Sequence, residues 1–96
     1  MKKSLGIVEV TGCTNAIAAL DVMAKAAEVT ISTWETIFGD GRVTIFVEGD
    51  AASVMAAVEA VKTEKRLNIF NTYTIAGPHE ETWRMIEKSR KKQIKK

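Results

Sequence analysis

VTISTWETIFGDGRVTIFVEGD, residues 29–50, carries the pattern that decides the architecture. Its first part, 29–37, alternates: Val29, Ile31 and Thr33 fall on one side of an extended chain, Thr30, Ser32 and Trp34 on the other. Phe38-Gly39-Asp40-Gly41 then reverses the chain, with two glycines free to take positive φ. Residues 42–48 follow as a second strand, with Val43, Ile45 and Val47 sharing a face. The two strands make a hairpin, and Asp50 stands where a side chain can cap the helix that comes next.

A strand and a helix lie on each side of this hairpin, with no internal repeat between them. Upstream, residues 4–11 (SLGIVEVT) read as a strand apolar on both faces, which argues for burial, and Gly12 ends it. Thr14 or Asn15 can cap a helix over 15–28, whose apolar stripe is Ile17, Leu20, Ala24 and Ala27. Downstream, a helix over about 51–66 carries Val54, Val58 and Val61, and residues 68–75 form a fourth strand. Gly77-Pro78 breaks the chain before a polar helix at about 80–93, where Trp83, Ile86 and Ile94 are the few apolar residues. The order is β-α-β-β-α-β, the ferredoxin-like arrangement of an α/β (α+β) protein, followed by a C-terminal helical extension. Such a sheet is antiparallel and carries both main helices on one face. Its other face needs a cover, from the last helix or from neighbouring subunits.

The 96 residues allow one domain with a modest core. Hydrophobic residues are 46% of the chain, and much of that is alanine, which packs closely but adds little area. Short chains of this kind complete their burial against copies of themselves. The one cysteine, Cys13, rules out an internal disulfide framework and suits a reducing cytosol. No apolar run is long enough for a signal-peptide core or a membrane span. The net charge of +2 is asymmetric: KSRKKQIKK, residues 88–96, carries six positive charges and no negative one. Residues 1–87 therefore hold eight Lys and Arg against twelve Asp and Glu. An acidic body with a basic tail is not a uniformly basic nucleic-acid binder.

SLGIVEVTG (4–12), AIAALDVMAKAAEV (16–29), RVTIFVEGDAASVMAAVEA (42–60) and TIAGPH (74–79) together resemble bacterial microcompartment shell proteins of the single-domain, hexamer-forming type. The resemblance covers residues 4–79 in the family's order, so residues 1–79 are expected to be the shell domain and 80–96 a C-terminal helix and basic tail. It implies a homo-hexamer that tiles with other shell proteins into facets around enclosed enzymes, inside a polyhedral organelle of the cytoplasm. It implies no catalysis, cofactor or metal. Lys25 matches the lysine that lies along the edge between hexamers in the family. Pro78 and His79 also match, but the arginine expected before them is Gly77, and a planar multi-donor contact is lost. The turn that lines the central pore in the family corresponds to Ile37, Phe38, Gly39, Asp40, Gly41 and Arg42, one residue longer than usual. A six-fold axis would repeat each side chain, so Phe38 is expected to narrow the channel and Asp40 to ring one mouth with negative charge.

Other residues have simpler readings. Cys13 at a helix start is either a reactive thiol or, as its lack of a base partner favours, a small packing residue. Glu9 in an apolar strand requires a hydrogen-bonding partner. The glycines at 39 and 41 make no phosphate loop, since no helix N-terminus stands behind the turn. The tail reads as a solvated helix end, whose positive charges complement its dipole, or as a contact for nucleic acid or an acidic surface. The alternative of a different class is an RNA-binding module, whose recognition fold shares this element order. Its third strand would read K/R-G-F/Y-G/A-F-V-x-F/Y; in RVTIFVEG, residues 42–49, Arg42, Phe46 and Val47 agree but Val43, Thr44, Ile45 and Gly49 do not. The acidic body also opposes a phosphate backbone. A small-ligand sensor of similar shape is a third reading.

Overall fold

The computed structural model describes residues 3–36 and 41–94. Strand β1 (Ser4–Thr11) leads into helix α1 (Cys13–Ala26), strands β2 (Thr30–Thr36) and β3 (Arg42–Gly49), helix α2 (Ala51–Thr63), strand β4 (Ile69–Ala76) and helix α3 (Glu80–Ile94). The strands form one sheet in the order β2-β3-β1-β4, and every neighbouring pair is antiparallel. This is the expected ferredoxin-like topology with a helical extension.

The main core lies between one sheet face and helices α1 and α2. Val8, Val10, Val43, Ile45 and Val47 from the sheet meet Ala16, Ala19 and Met23 from α1 and Val54, Ala57, Val58 and Val61 from α2. The valine stripe of α2 is as read from the sequence. On α1 the buried face is turned by about one residue: Ala16, Ala19 and Met23 are buried, whereas Ile17 is 66% exposed and Ala24 is exposed. The helix sets Ala16, Ala19 and Met23 against the core and leaves Ile17 outside.

The start of α1 also differs from expectation. Gly12, at φ 87°, makes the turn directly, and the Ala16 amide donates to its carbonyl. The helix therefore begins at Cys13, which places Thr14 and Asn15 inside its first turn, and no side chain caps it. Asn15 instead donates its Nδ2 to the Thr11 carbonyl at 2.8 Å. Asp50 does cap α2, accepting from the Ser53 amide at 2.8 Å. The simple alternation of β2 fails at a bulge: Ile31 pairs with Val47 and Thr33 with Phe46, so Ser32 is the extra residue. After the bulge Thr33 lies on the face opposite Ile31, and both Ser32 and Thr33 are buried.

Gly6 sits where β1 passes under α2. A Cβ there would stand 2.9 Å from Val47 Cγ2, 3.0 Å from Val54 Cγ1 and 3.1 Å from Val58 Cγ2. In an open strand Gly→Ala stabilises by reducing unfolded-state entropy. Here overpacking dominates, so Gly6→Ala is expected to destabilise the protein by about 1–3 kcal/mol. Urea unfolding at fixed protein concentration measures this, and a gain in stability would show that the helix does not rest on β1 as described.

Candidate assembly surfaces and pore turn

The register sorts the expected functional residues to two ends of the sheet. Ser4 pairs with both Gly49 and Ala76, and Thr30 with Glu48, which defines one end. Thr11 pairs with Arg42, Thr36 with Val43 and Val10 with Ile69, which defines the other. Lys25, in the last turn of α1 just before β2, and Gly77, Pro78 and His79, just after Ala76, therefore share the first end. Gly41 and Arg42 stand at the opposite end, with Gly12 and Cys13. Eight-residue strands rising about 3.3 Å per residue put roughly 23 Å between the two sets. Ile37, Phe38, Gly39 and Asp40 lie outside the described residues.

At the first end, exposed Lys25 makes an i,i+4 ion pair with Asp21 at 2.8 Å, a contact between exposed groups that is worth little. Gly77 takes φ 54°, a left-handed conformation that disfavours other residues. His79 caps α3: its Nδ1 accepts from the Glu81 amide at 3.0 Å, and its carbonyl accepts from the Thr82 amide at 2.9 Å. Among the described residues no hydrogen bond or ion pair joins Lys25 to these three.

At the opposite end, Gly41 has φ 76°, and its carbonyl accepts from the Gly12 amide at 2.6 Å, which ties the stem of the turn to the start of α1. Arg42 is half-buried, and its guanidinium lies over the Phe70 ring, 3.6 Å from the centroid. Cys13 is exposed and free, so it is not a packing residue. Glu9 finds its partner inside the chain, accepting from Thr44 Oγ1 on the adjacent strand at 3.4 Å.

Helix α3 covers the second sheet face only in part, and polar groups hold it there. Glu48 is buried and accepts from Lys3 Nζ at 2.7 Å, Ser32 Oγ at 2.6 Å and an Arg90 guanidinium nitrogen at 3.1 Å. Ser89 bonds Thr33 and Glu35, Lys92 pairs with Glu35 at 2.6 Å, and Gln93 donates to the Trp34 carbonyl at 2.7 Å. Arg90 Nε also donates to the Ser32 carbonyl at 3.1 Å. The basic tail is thus not simply a solvated helix end, because Arg90 and Lys92 are committed to carboxylates of the sheet. Among the described side chains of α3, Ile86 is the buried apolar one, lining a cavity with Leu5, Ile7 and Phe46. On the β4 side of this face Tyr73 is 53% exposed and Ile75 is also exposed. On the opposite flank of the sheet, Ile31 and Trp34 of β2 are also exposed.

Burial raises the Glu48 pKa, but hydrogen bonds from Lys3 and Ser32 and the charges of Lys3 and Arg90 outweigh it, and the carboxyl ends below its ordinary value. No local pattern marks this cluster: Glu48 occupies an ordinary outward position, and its partners are 16 to 45 residues away.

A ferredoxin-like sheet with two close helices on one face and a third strapped to the other places the chain among compact α+β subunits with uncovered apolar flanks. The family description "BMC domain" matches residues 4–78, and the chain belongs to this family of bacterial microcompartment shell proteins. It is 43% identical over 84 residues to the carboxysome shell protein CcmK2 of Thermosynechococcus vestitus, covering 83% of this chain and 81% of the relative. It is 36% identical over 89 residues to the microcompartment shell protein PduA of Citrobacter freundii, covering 91% of this chain and 95% of that one. A solved microcompartment protein from Desulfitobacterium hafniense superposes with a TM-score of 0.79 at 27% identity, over 93% of this chain and 49% of its own. The chain thus spans about half of that solved chain. The RNA-binding reading gains no support: the face that would stack bases carries Glu9 and Thr44 at its centre, and Phe46 lies against α3.

A carboxylate held below its ordinary pKa contributes stability that is complete above the unfolded-chain value near 4.5 and is lost as pH falls through the folded value. Stability of the α3 contact is therefore expected to decline below about pH 5. Glu48→Gln should cost about 1.5–3 kcal/mol at pH 7 and flatten this decline. Unfolding followed by the fluorescence of half-buried Trp83 reads both, and an unchanged acid slope in the variant would remove Glu48 from the account.

Proposed function

We propose that this chain is a structural subunit of a bacterial microcompartment shell, forming cyclic hexamers that tile into facets and carry a central pore for small metabolites. Residues 1–79 are the shell-forming unit and 80–96 a C-terminal helix and basic tail, of which α3 straps the second face. Its partners are copies of itself, other shell proteins of the same compartment and the enzymes inside. The observation that carries this reading is the separation of the two residue sets. A ring with the turn end of the sheet toward the axis gathers Ile37, Phe38, Gly39, Asp40, Gly41 and Arg42 around an opening. The same orientation carries Lys25, Gly77, Pro78 and His79 out to the rim, where hexamers meet.

Closure of a ring requires two different surfaces on each subunit. Exposed apolar residues on opposite flanks, Tyr73 and Ile75 toward β4 and Ile31 and Trp34 toward β2, fit that requirement. Exposed apolar groups on flanks bury at about 25 cal/mol per Å² when such surfaces meet. At the pore, Phe38 narrows the channel, and an Asp40 ring attracts cations and disfavours anionic metabolites.

Mass measurement under native conditions is expected to give a hexamer at micromolar concentration, and a stable monomer or dimer would refute the assembly. The rim has its own test. Lys25→Ala should oppose the growth of sheets or tubes seen by electron microscopy, and Gly77→Arg should promote it. Because Gly77 has a positive φ, arginine there carries a conformational cost of about 1–2 kcal/mol. Gly77→Ala, with a similar backbone cost and no guanidinium, is the control. If Lys25→Ala leaves assembly unchanged, Lys25 is not a rim residue.

A further inference from the structure

We propose that the cleft beneath the first half of α3 is a binding site for a medium-chain carboxylate, whose alkyl tail lies on the sheet and whose head meets Lys88 and Lys91. The cleft is built within one chain, so the inference stands apart from the ring and the pore. Val8 and Val10 of β1 point into the main core, so alternation sends Leu5 and Ile7 to the other face, where Ile7 is paired with Phe46 of β3. Helix α3 crosses this face unevenly. Ser89, Arg90, Lys92 and Gln93 hydrogen-bond its second half to β2 and to Glu48 of β3. Its first half carries Ile86 as a buried apolar side chain, while Met85 is 73% exposed. Held by polar groups at one end and thin in apolar residues at the other, the helix does not close on the sheet. A gap of about 250 Å³ is left, lined by Leu5, Ile7, Phe46, Met85 and Ile86.

Two properties of the gap select the ligand. Its walls are aliphatic and aromatic, so the group that fills it is apolar. A dry cavity of about 150 Å³ accepts benzene, so one of about 250 Å³ accepts an unbranched chain of about eight carbons. The second property is charge at one mouth. A hollow lined by Lys88, Lys91 and Lys92 adjoins the gap and shares Glu35, Met85 and Ser89 with it. Lys92 pairs with Glu35 at 2.6 Å, and Ser89 bonds the same carboxylate. Lys88 and Lys91 are exposed and have no ion-pair partner among the described residues. Positive charge is therefore in excess where a ligand leaves the gap, and a carboxylate head is favoured there over a hydroxyl or an ammonium. Met85, unbranched and polarisable, stands between the two hollows, where it can fold over the chain.

Titration calorimetry of the full chain with sodium octanoate, octanol and octylammonium chloride reads both properties. Octanoate should bind saturably and about three- to tenfold tighter than octanol at low salt, with octylammonium weaker than either. Added salt should remove the preference for octanoate. Lys88→Gln combined with Lys91→Gln should lower octanoate affinity to that of octanol and leave octanol unchanged. Methyl NMR locates the tail: the signals of Leu5, Ile7 and Ile86 should move on titration with octanoate or with octanol. Ile7→Trp, which fills the gap, should abolish binding of all three probes, and the methyl map reads the site without that variant. Octanoate binding that survives the lysine pair unchanged, or that leaves those methyls unmoved, overturns the proposal, as does equal binding of octylammonium. The oligomeric state of the same samples separates this inference from the assembly. A hexamer that binds none of the probes refutes the site and leaves the ring standing, whereas a monomer that binds octanoate as described supports the site and refutes the ring alone.

Discussion

The spacing between helix and sheet depends on Gly6, whose missing side chain is the space into which Val54 and Val58 of α2 and Val47 of β3 pack. Close packing of this kind admits no extra methyl group without strain. The neighbouring helix follows the same rule with Ala16 and Ala19 against the strands. Gly6 beneath α2 and the two alanines of α1 let the helices lie low on the sheet, and the subunit is a plate, 34 × 30 × 18 Å. A thin plate with its strands in the plane has two ends and two flanks, and those are the surfaces on which the proposed assembly depends.

The second face obeys a different force. An apolar helix laid on it would bury the whole face and leave a closed monomer. Instead α3 is largely polar, and its position is chosen by charge: Glu48 collects Lys3, Ser32 and Arg90, while Glu35 collects Ser89 and Lys92. Those carboxylates lie on β3 and β2, so the helix is drawn to that side of the sheet. It also engages the carbonyls of Ser32 and Trp34 on the edge strand β2, which blunts an edge open to unwanted pairing. The β4 side stays bare for the same reason. Placement by buried polar groups is specific where placement by apolar area alone would be permissive.

Most of the fold was legible because its signals are local. Alternation in residues 42–48, the Asp50 cap and the valine stripe of α2 are each fixed by neighbours within a few positions, and each is observed. The misreadings occur where distant packing decides. The stripe expected on α1 runs through Ile17, whereas the sheet buries Ala16, Ala19 and Met23 one position earlier. The bulge at Ser32 breaks an alternation that looks regular in the sequence, because Glu48 and α3 hold Ser32 and Thr33 on the same side. Of the candidate site, the turn and the Pro78-His79 pair were visible as motifs, but the contact of Arg42 with Phe70 was not. It depends on a one-residue bulge in a strand 28 positions away, and periodicity carries no mark of that.

The two ends of the plate can vary independently, and the reason is mechanical. Between them run β1 and β3, paired over their full length and buried by the core, so a side chain at one end meets the other only through rigid strands. On the proposed reading the chain departs from its family's pattern once at each end, at Gly77 and at the lengthened turn of 38–41. Gly77 is not part of the core cluster. On the proposed reading, the first changes how strongly plates join and the second changes what passes through them. A shell built from several such subunits can then keep one lattice geometry, set by the common core, while its members differ in pore chemistry. That division requires the stem of the turn to be held firmly, so that changes at the tip do not disturb the strands beneath. The Gly12–Gly41 bond and the Arg42–Phe70 stack stand where such a clamp is needed.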